Sequence, residues 1–364
     1  MIWRIRMTIV LKRLLLLILS GGAALGLAEG ALRLAGRKPY PVNQEQFRFW
    51  EHDPVLGWRH RAGQSGIFAK DPLFRVRVRI NKRGLRDREY PEAKPPGKQR
   101  ILVLGDSFAW GFGVEEADRF DEVMERSDSR LEVISAGVSG YSTDQELLWF
   151  EREGVKYRAD LVVLLFVGND HPMNAMDLVY NVYYKPRFVL NNDVLELTGV
   201  PVPLAPRHTR AIYALRRTSA FFCLLFDAST VWQESRGAQR ASNASLPAER
   251  PTEQGVRAGR GYALTRALIA RLRAGAEENG ARFMVLSTAF GWDAAEGEYG
   301  DLLDCLRRDG IPVLDVDALP DMNPQTMIYP GDLHWTKEGH GLVAEKLMRF
   351  VTDQRLLEPD QQPE

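Results

Sequence analysis

Cysteine is scarce in this sequence, because its 364 residues include only Cys223 and Cys305. Two cysteines cannot build a disulfide scaffold or a cysteine-rich zinc or iron–sulfur site. An excess of charge is also missing, since 48 basic residues balance 48 acidic ones. A neutral chain does not hold nucleic acid by bulk electrostatics, so the composition predicts no nucleic-acid partner.

Three common active-site motifs are absent as well. The sequence has no Walker A, His-Glu-x-x-His or Gly-x-Ser-x-Gly pattern, which excludes the usual forms of P-loop enzymes, zinc proteases and α/β-hydrolases. Gly111-Phe112-Gly113 begins like a dinucleotide fingerprint, but Glu116 occupies the position of the last glycine. We therefore expect no cofactor and no catalytic metal.

The N-terminus has the order of an export signal. Basic residues from Arg4 to Arg13 precede an apolar run from Leu14 to Ala28, which is typical of a signal anchor or a signal peptide. The run is shorter than the roughly 20 residues of a spanning helix, and it leaves three alternatives: an uncleaved anchor, a cleaved signal or a buried helix. We favour the anchor and assign it residues 1–36.

This assignment predicts where the rest of the chain lies. The basic flank remains in the cytoplasm, so the chain is expected in the cell inner membrane with its main domain periplasmic, or secreted if the signal is cleaved. No cysteine follows the run closely, which excludes lipidation at a processed N-terminal cysteine.

The remaining chain divides into three parts. Residues 37–99 form a leader rich in proline, arginine and turn residues, in which Phe74 to Ile80 alternates apolar and charged residues as a half-buried strand does. Residues 100–352 form the main domain, and residues 353–364 a tail. Arginine clusters occur at 75–89 and 207–217, and these are the patches we would expect to meet an anionic substrate.

The main domain alternates strands and helices. Its helices include one that Asp144 is expected to cap and a closing helix from Lys337 to Phe350. The predicted strands are Ile101–Leu104, Leu131–Ile134, Leu161–Val167, Arg282–Leu286 and Pro312–Leu314. Five such strands predict the α/β class, with an open parallel sheet covered on both faces.

Residues 171–258 interrupt this alternation after the third strand. Tyr180 to Leu197 carries β-branched and aromatic residues around Asn191-Asn192-Asp193, which predicts a hairpin. Long insertions in compact domains are more often functional than decorative. We therefore interpret residues 171–258 as a candidate lid or substrate wall.

Reactive residue types follow the predicted strands. Open α/β sheets bind ligands at the carboxyl ends of their strands. Ser107 follows the first strand, a glycine-containing loop the second, Asn169 the third, and Asp332 with His334 the last. A hydroxyl, an imidazole, a carboxylate and amide donors are what acyl transfer through a serine needs.

Each residue type suits one task in that chemistry. The Ser107 hydroxyl needs a base, and His334 is the candidate. Asp332 can orient the imidazole and stabilise its protonated form. The Ser107 amide, a glycine amide after the second strand and the Asn169 side chain can stabilise an oxyanion.

These loops resemble the four blocks of the SGNH (GDSL-type) hydrolases. The matching groups are Gly105-Asp106-Ser107, the glycine loop, Gly168-Asn169-Asp170 and the Asp-His pair. The resemblance covers residues 100–350 without the insertion and implies a flavodoxin-like three-layer α/β/α sandwich. It implies that Ser107 is the nucleophile, that His334 and Asp332 complete the triad, and that Gly140 and Asn169 join Ser107 in the oxyanion hole.

The resemblance implies a serine esterase that hydrolyses an acyl ester of a sugar, lipid or small molecule, on an envelope or extracellular substrate. The family's usual last block is Asp-x-x-His, whereas Asp332-Leu333-His334 has one intervening residue. With Trp335 this form resembles the acetyltransferase branches that act on envelope polysaccharide. The alternative is therefore an O-acyltransferase with the same residues.

Overall fold

The protein is described by a computed structural model, which covers residues 2–37, 39, 44–70, 72–179, 182–226, 253–289 and 298–357. The chain forms two compact units. The first unit comprises residues 1–43 and 205–250, and the second comprises residues 44–204 and 251–364.

The second unit contains all the strands that the structure describes. They are β1 (Trp50–Asp53), β2 (Gly57–His60), β3 (Ser65–Lys70), β4 (Phe74–Arg79), β5 (Gln99–Gly105), β6 (Leu131–Ser135), β7 (Leu161–Val167), β8 (Leu178–Val179), β9 (Tyr183–Tyr184), β10 (Arg187–Asn191), β11 (Val194–Thr198), β12 (Arg282–Thr288) and β13 (Val313–Asp315).

Helices alternate with the later strands. The α-helices are α1 (Ile2–Leu34), α2 (Gln44–Arg48), α3 (Ser107–Trp110), α4 (Phe120–Ser127), α5 (Thr143–Arg152), α6 (Asp170–Met173), α7 (Arg207–Thr218), α8 (Glu253–Glu278), α9 (Glu298–Arg308), α10 (Pro324–Met327) and α11 (Lys337–Asp353). Residues 220–226 are also helical.

The central sheet has the order β13-β12-β7-β5-β6, and all its strand pairs are parallel. If these five strands are numbered 1 to 5 along the chain and the sheet is read from β6, the order is 2-1-3-4-5. This is the flavodoxin-like arrangement. The predicted fold class is therefore confirmed, and the strand order reverses between β5 and β7.

The sheet is buried on both faces, as its unbroken apolar strands predict. Leu102 and Leu104 of β5 pack into a core with α5, α8 and α9, whereas Ile101 and Val103 face a second core formed with α4 and α11. Successive strand residues point to opposite faces. The sheet thus lies between two helical layers and positions its loops rigidly.

Residues 44–99 belong to this same unit. The Trp58 ring Nε1 donates to the carbonyl of Ser139 at 3.2 Å, and the Tyr141 hydroxyl donates to the carbonyl of Trp58 at 2.5 Å. The buried Arg86 guanidinium donates to the carbonyls of Gly111 and Val114, each at 2.5 Å. These contacts fasten the N-terminal segment onto the loops that follow β5 and β6.

The first unit contains the long helix α1. A 25-residue stretch of it, Val10–Leu34, has a mean hydropathy of 1.8 and is long and apolar enough to cross a membrane. Most of its leucines are exposed, Leu17 by 69%. The apolar helix is longer than the run predicted from the sequence because it continues through Glu29 and Arg33 to Leu34.

Candidate functional site

Ser107 is the first residue of α3, and only Asp106 separates it from the end of β5. Asp106 caps this helix, since its Oδ1 accepts a hydrogen bond from the Phe108 amide at 2.9 Å. A Cβ on Gly105 would lie 2.8 Å from the Ala109 Cβ, so glycine is needed for the strand to turn so tightly into the helix. The turn presents Ser107 beside β7, where the strand order reverses.

His334 bonds to Ser107 from the far end of the chain. Its Nε2 lies 2.7 Å from the Ser107 Oγ, and its Nδ1 lies 2.5 Å from the Asp332 Oδ1. The three side chains that the sequence predicts as a triad thus lie in one hydrogen-bonded chain.

Aromatic rings hold the His334 imidazole in place. The ring stacks on Phe112, with centroids 4.0 Å apart and planes 17° apart, and it lies 4.9 Å from the Phe108 ring. The Tyr329 amide donates to the His334 carbonyl at 3.0 Å. Since both the ring and the backbone are restrained, the imidazole has little freedom to turn away from Ser107.

Both carboxylate oxygens of Asp332 are occupied. Oδ1 accepts from the His334 imidazole and also from the His334 amide at 3.1 Å. Oδ2 accepts from the Lys70 ammonium at 2.5 Å. Burial alone would raise the pKa of Asp332, but the bonds from His334 and Lys70 outweigh it and hold that pKa well below its usual value. Asp332 is therefore a fixed anion.

Lys70 is a residue of the site that the sequence does not predict. It ends β3 and stands 262 residues before Asp332, so no local spacing connects the two. The neighbouring strand β4 was predictable, and its buried and exposed residues alternate as expected. A basic residue at the end of the paired strand was the only available signal, and it does not distinguish Lys70 from other surface lysines.

Asn169 reaches the same loop through Asp106. The Asn169 Nδ2 lies 3.5 Å from the Asp106 Oδ2, and the Ser107 Oγ lies 3.4 Å from that oxygen. Burial raises the pKa of Asp106, although the bond from the Phe108 amide opposes the shift. One buried carboxyl therefore lies beside both the Ser107 hydroxyl and the Asn169 amide.

Gly140 lies at the end of the loop after β6, with a left-handed φ of 78°. The loop runs along the Ser107 turn, because the Val138 amide donates to the Gly105 carbonyl at 3.1 Å. At Gly137 a Cβ would lie only 2.2 Å from the Trp110 backbone nitrogen. Glycines thus bring this backbone close to α3.

One group of carboxylates in the described residues has metal-ligand spacing. The ligand oxygens of Asp87, Asp121 and Glu122 lie within 4.8 Å of one another. The buried Arg119 pairs with Asp121, and its Nη2 lies 3.5 Å from Asp87 and 4.0 Å from Glu122. The guanidinium already supplies the positive charge that a cation would bring.

Residues 103–342 match the GDSL-like lipase/acylhydrolase family. The match covers most of the chain, and the chain belongs to this family. It is an ester-bond hydrolase with the SGNH fold.

Solved structures of similar proteins include three hydrolases. The lipase/acylhydrolase from Enterococcus faecalis is 13% identical, with a TM-score of 0.39 over 72% of this chain and 100% of that one. The family 3 carbohydrate esterase of Clostridium thermocellum is 11% identical, with a TM-score of 0.39 over 71% and 99%. An acetyl xylan esterase, AlAXEase, is 14% identical, with a TM-score of 0.36 over 69% and 99%. No curated protein matches the chain significantly.

Proposed function

We propose that the protein is a serine esterase that works through an acyl-enzyme formed on Ser107. The observation that carries the proposal is the chain of hydrogen bonds from Ser107 through His334 to Asp332, at 2.7 and 2.5 Å. A serine hydroxyl is a weak nucleophile until a neighbouring base takes its proton, and the His334 Nε2 is placed to do so.

In this mechanism the Ser107 Oγ attacks the ester carbonyl while its proton passes to His334. Asp332 stabilises the protonated imidazole, and the amides of Ser107 and Gly140 with the Asn169 side chain hold the oxyanion. The imidazolium then protonates the departing alcohol. Water, deprotonated in turn by His334, releases the acid and restores Ser107.

Lys70 has a positioning role in this proposal. Its ammonium holds the Asp332 oxygen that does not face the imidazole. A carboxylate held at both oxygens cannot rotate away from His334, which keeps the Nδ1–H bond aligned. Lys70 is 43% exposed while Asp332 is 6% exposed, so the pair lies at the edge of the site.

Substitution of the nucleophile tests the proposal. Ser107→Ala should lower kcat/KM for p-nitrophenyl acetate by at least about a thousandfold, and a fluorophosphonate should label the wild-type protein at Ser107. Ser127→Ala is the matched control, because that hydroxyl donates to the Met124 carbonyl of α4 and to the Met348 sulfur of α11 and not to any residue of the triad. A Ser107→Ala protein of wild-type activity would exclude the mechanism.

Product analysis separates hydrolysis from transfer. With an acetylated sugar as donor and a second sugar as acceptor, the esterase releases free acetate at a rate independent of acceptor concentration. Acetylated acceptor as the main product would identify the O-acyltransferase instead, with the same residues at work.

We further propose that α1 is an uncleaved anchor in the inner membrane, with the catalytic unit on the periplasmic side and acting on an envelope ester. The span Val10–Leu34 is about 37 Å long as a helix, which is enough for a hydrocarbon core of about 30 Å. The basic flank remains in the cytoplasm. The expected N-terminal sequence of the mature protein therefore includes residues 1–28.

A further inference from the structure

The end of α1 is bonded to the insertion. The Glu29 carboxylate accepts hydrogen bonds from the Ser219 hydroxyl at 2.9 Å and from the amides of Ala220 and Phe221 at 3.0 and 2.9 Å. Arg33 donates to the Thr218 carbonyl at 2.8 Å. Glu29 thus accepts hydrogen bonds from the free amides at the start of helix 220–226. Arg33 donates to a carbonyl at the end of α7.

The two helical segments are joined to each other as well. The Cys223 thiol donates to the Arg216 carbonyl at 2.9 Å, and the Arg216 guanidinium lies 4.0 Å from the centre of the Phe226 ring. We call residues 207–226 the juxtamembrane segment. Its contacts with α1 and within itself hold it at one level along that helix.

Charge in the juxtamembrane segment has one sign. Residues 207–226 contain four arginines and a histidine but no aspartate or glutamate. On α7, Arg210 and Arg217 are seven residues apart and share one face, while Ile212 and Leu215 are three apart and share another. A helix with a basic face and an apolar face is typical of a segment that lies in a membrane interface.

Apolar side chains of the juxtamembrane segment are exposed. Leu215, Leu224 and Leu225 are uncovered, the last by 53%. Glu29 stands five residues before the end of α1, which is about 7 Å along the helix axis. A segment attached there lies at the depth where headgroups meet acyl chains, so lipid is available to cover these leucines.

We infer that the juxtamembrane segment is a second membrane-binding element, which lies on an anionic lipid surface beside the anchor. The inference rests on the proposed anchoring of α1. Its exposed arginines Arg207, Arg210 and Arg217 meet lipid phosphates, and its leucines enter the interface. Part of the insertion, which was interpreted as a candidate lid or substrate wall, thereby fixes the chain to the membrane.

A fluorescent reporter tests this inference in the full-length chain. Cys223 and Cys305 are replaced by serine, Leu225→Cys carries an NBD group, and the protein is reconstituted in vesicles of phosphatidylcholine with or without phosphatidylglycerol. Val194→Cys on β11 is the matched control, because Val194 is a comparably exposed apolar residue, at 60%. We expect a blue-shifted emission at 225 that spin-labelled lipid quenches, and neither effect at 194.

The dependence on anionic lipid is tested with the arginines. Arg207→Gln, Arg210→Gln and Arg217→Gln combined should remove the additional blue shift that phosphatidylglycerol produces at 225. Equal shifts with and without phosphatidylglycerol in the wild-type background would overturn the anionic preference. A shift that lipid quenchers do not affect but that grows with protein concentration would assign the leucines to a second copy, and overturns the inference.

The outcomes separate this inference from the proposals on which it depends. A chain that floats with the vesicles while position 225 remains exposed to water disproves the juxtamembrane binding alone. A chain that does not float disproves the anchor and the inference together. Esterase activity is not used as a readout, so loss of the proposed chemistry does not affect the result.

Discussion

At the scale of single residues, the short Asp-x-His spacing is accommodated by a turn. Gly331 precedes Asp332 with a left-handed φ of 69°, and the Asp332 amide donates to the Tyr329 carbonyl. The same Asp332 oxygen accepts from the His334 amide and from its ring. One residue between acid and imidazole is therefore sufficient, because the carboxylate folds back over its own turn.

Substitution of Lys70 tests the positioning of Asp332. Lys70→Met should lower kcat by about tenfold with KM little changed, since a charge-assisted bond to the carboxylate is lost at a partly exposed site. Lys70→Arg should restore most of kcat, because it keeps a cation beside Asp332. An unchanged kcat in Lys70→Met would exclude the positioning role.

Residue types at strand ends predicted much of the candidate site. Ser107 and Asn169 directly follow predicted strands, so the sheet topology brings their loops to one edge. The Asp332–His334 pair follows the last strand after a longer connection that includes α10. Lys70 was not predictable, because its contact depends on how residues 44–99 pack. Contacts between distant segments leave no spacing in the sequence.

At the scale of elements, a local pattern was partly misleading at α5. The sequence predicts Asp144 as the helix cap, but Ser142 occupies that position and Asp144 lies inside the first turn. Its Oδ1 accepts from the Lys185 ammonium at 2.7 Å, with both side chains fully buried. Burial raises the pKa of Asp144, although Lys185 opposes the shift. The tertiary partner, which follows β9, decided the role of the residue.

The predicted hairpin in the insertion is confirmed. β10 and β11 pair antiparallel around a two-residue turn, and Asn192 and Asp193 both have positive φ, at 47° and 63°. Asparagine and aspartate tolerate this backbone, and it matches the twist of a tight hairpin. Turn chemistry is local, so the sequence was sufficient here.

The buried pair gives a prediction for stability. Lys185→Met should lower the free energy of unfolding by about 3–5 kcal/mol, because it leaves the Asp144 carboxyl buried without its partner. Asp144→Leu in addition should recover much of that loss. Urea unfolding followed by tryptophan fluorescence measures both. Lys156→Met is the control, since its pair with Glu153 is exposed and is worth about 1 kcal/mol at most. Equal losses of unfolding free energy in Lys185→Met and Lys156→Met would contradict this role of the buried pair.

At the scale of the whole molecule, the neutral net charge conceals arginines in very different environments. Arg75, Arg77 and Arg79 are exposed on β4. Arg100 is buried, and its guanidinium donates to Glu132 at 2.8 Å and to the Pro91 carbonyl at 3.0 Å. The sequence shows where arginines cluster, but it does not show which arginines are buried. The exposed arginines face solvent, whereas buried guanidinium groups bond backbone carbonyls and so connect the N-terminal segment to the sheet.

Buried titratable groups predict how stability depends on pH. Burial lowers the pKa of His340 to about 3 from the ordinary 6.5, and nearby Arg119 and Arg86 add to the shift. Burial raises the pKa of Asp317 to about 6 from 3.8, although a bond from the Ala289 amide opposes it. As pH falls from 6.5 to 3, the unfolded chain gains a proton that folded His340 does not, so stability is lost. Asp317 has the opposite effect between pH 4 and 6, because its folded form binds the extra proton.

His340→Asn should therefore flatten the acid side of the stability curve. The imidazole packs parallel to the Phe120 ring and accepts from the Phe120 amide at 3.3 Å, so the variant loses stability at pH 7. Between pH 7 and pH 5 the free energy of unfolding of the wild type should fall by about 2 kcal/mol more than that of the variant. This difference follows from about 1.36 kcal/mol per pKa unit. Urea unfolding at both pH values measures the difference. His208→Asn on the exposed surface of α7 is the control and should keep the wild-type slope, whereas an equally steep slope in His340→Asn would contradict the assignment to His340.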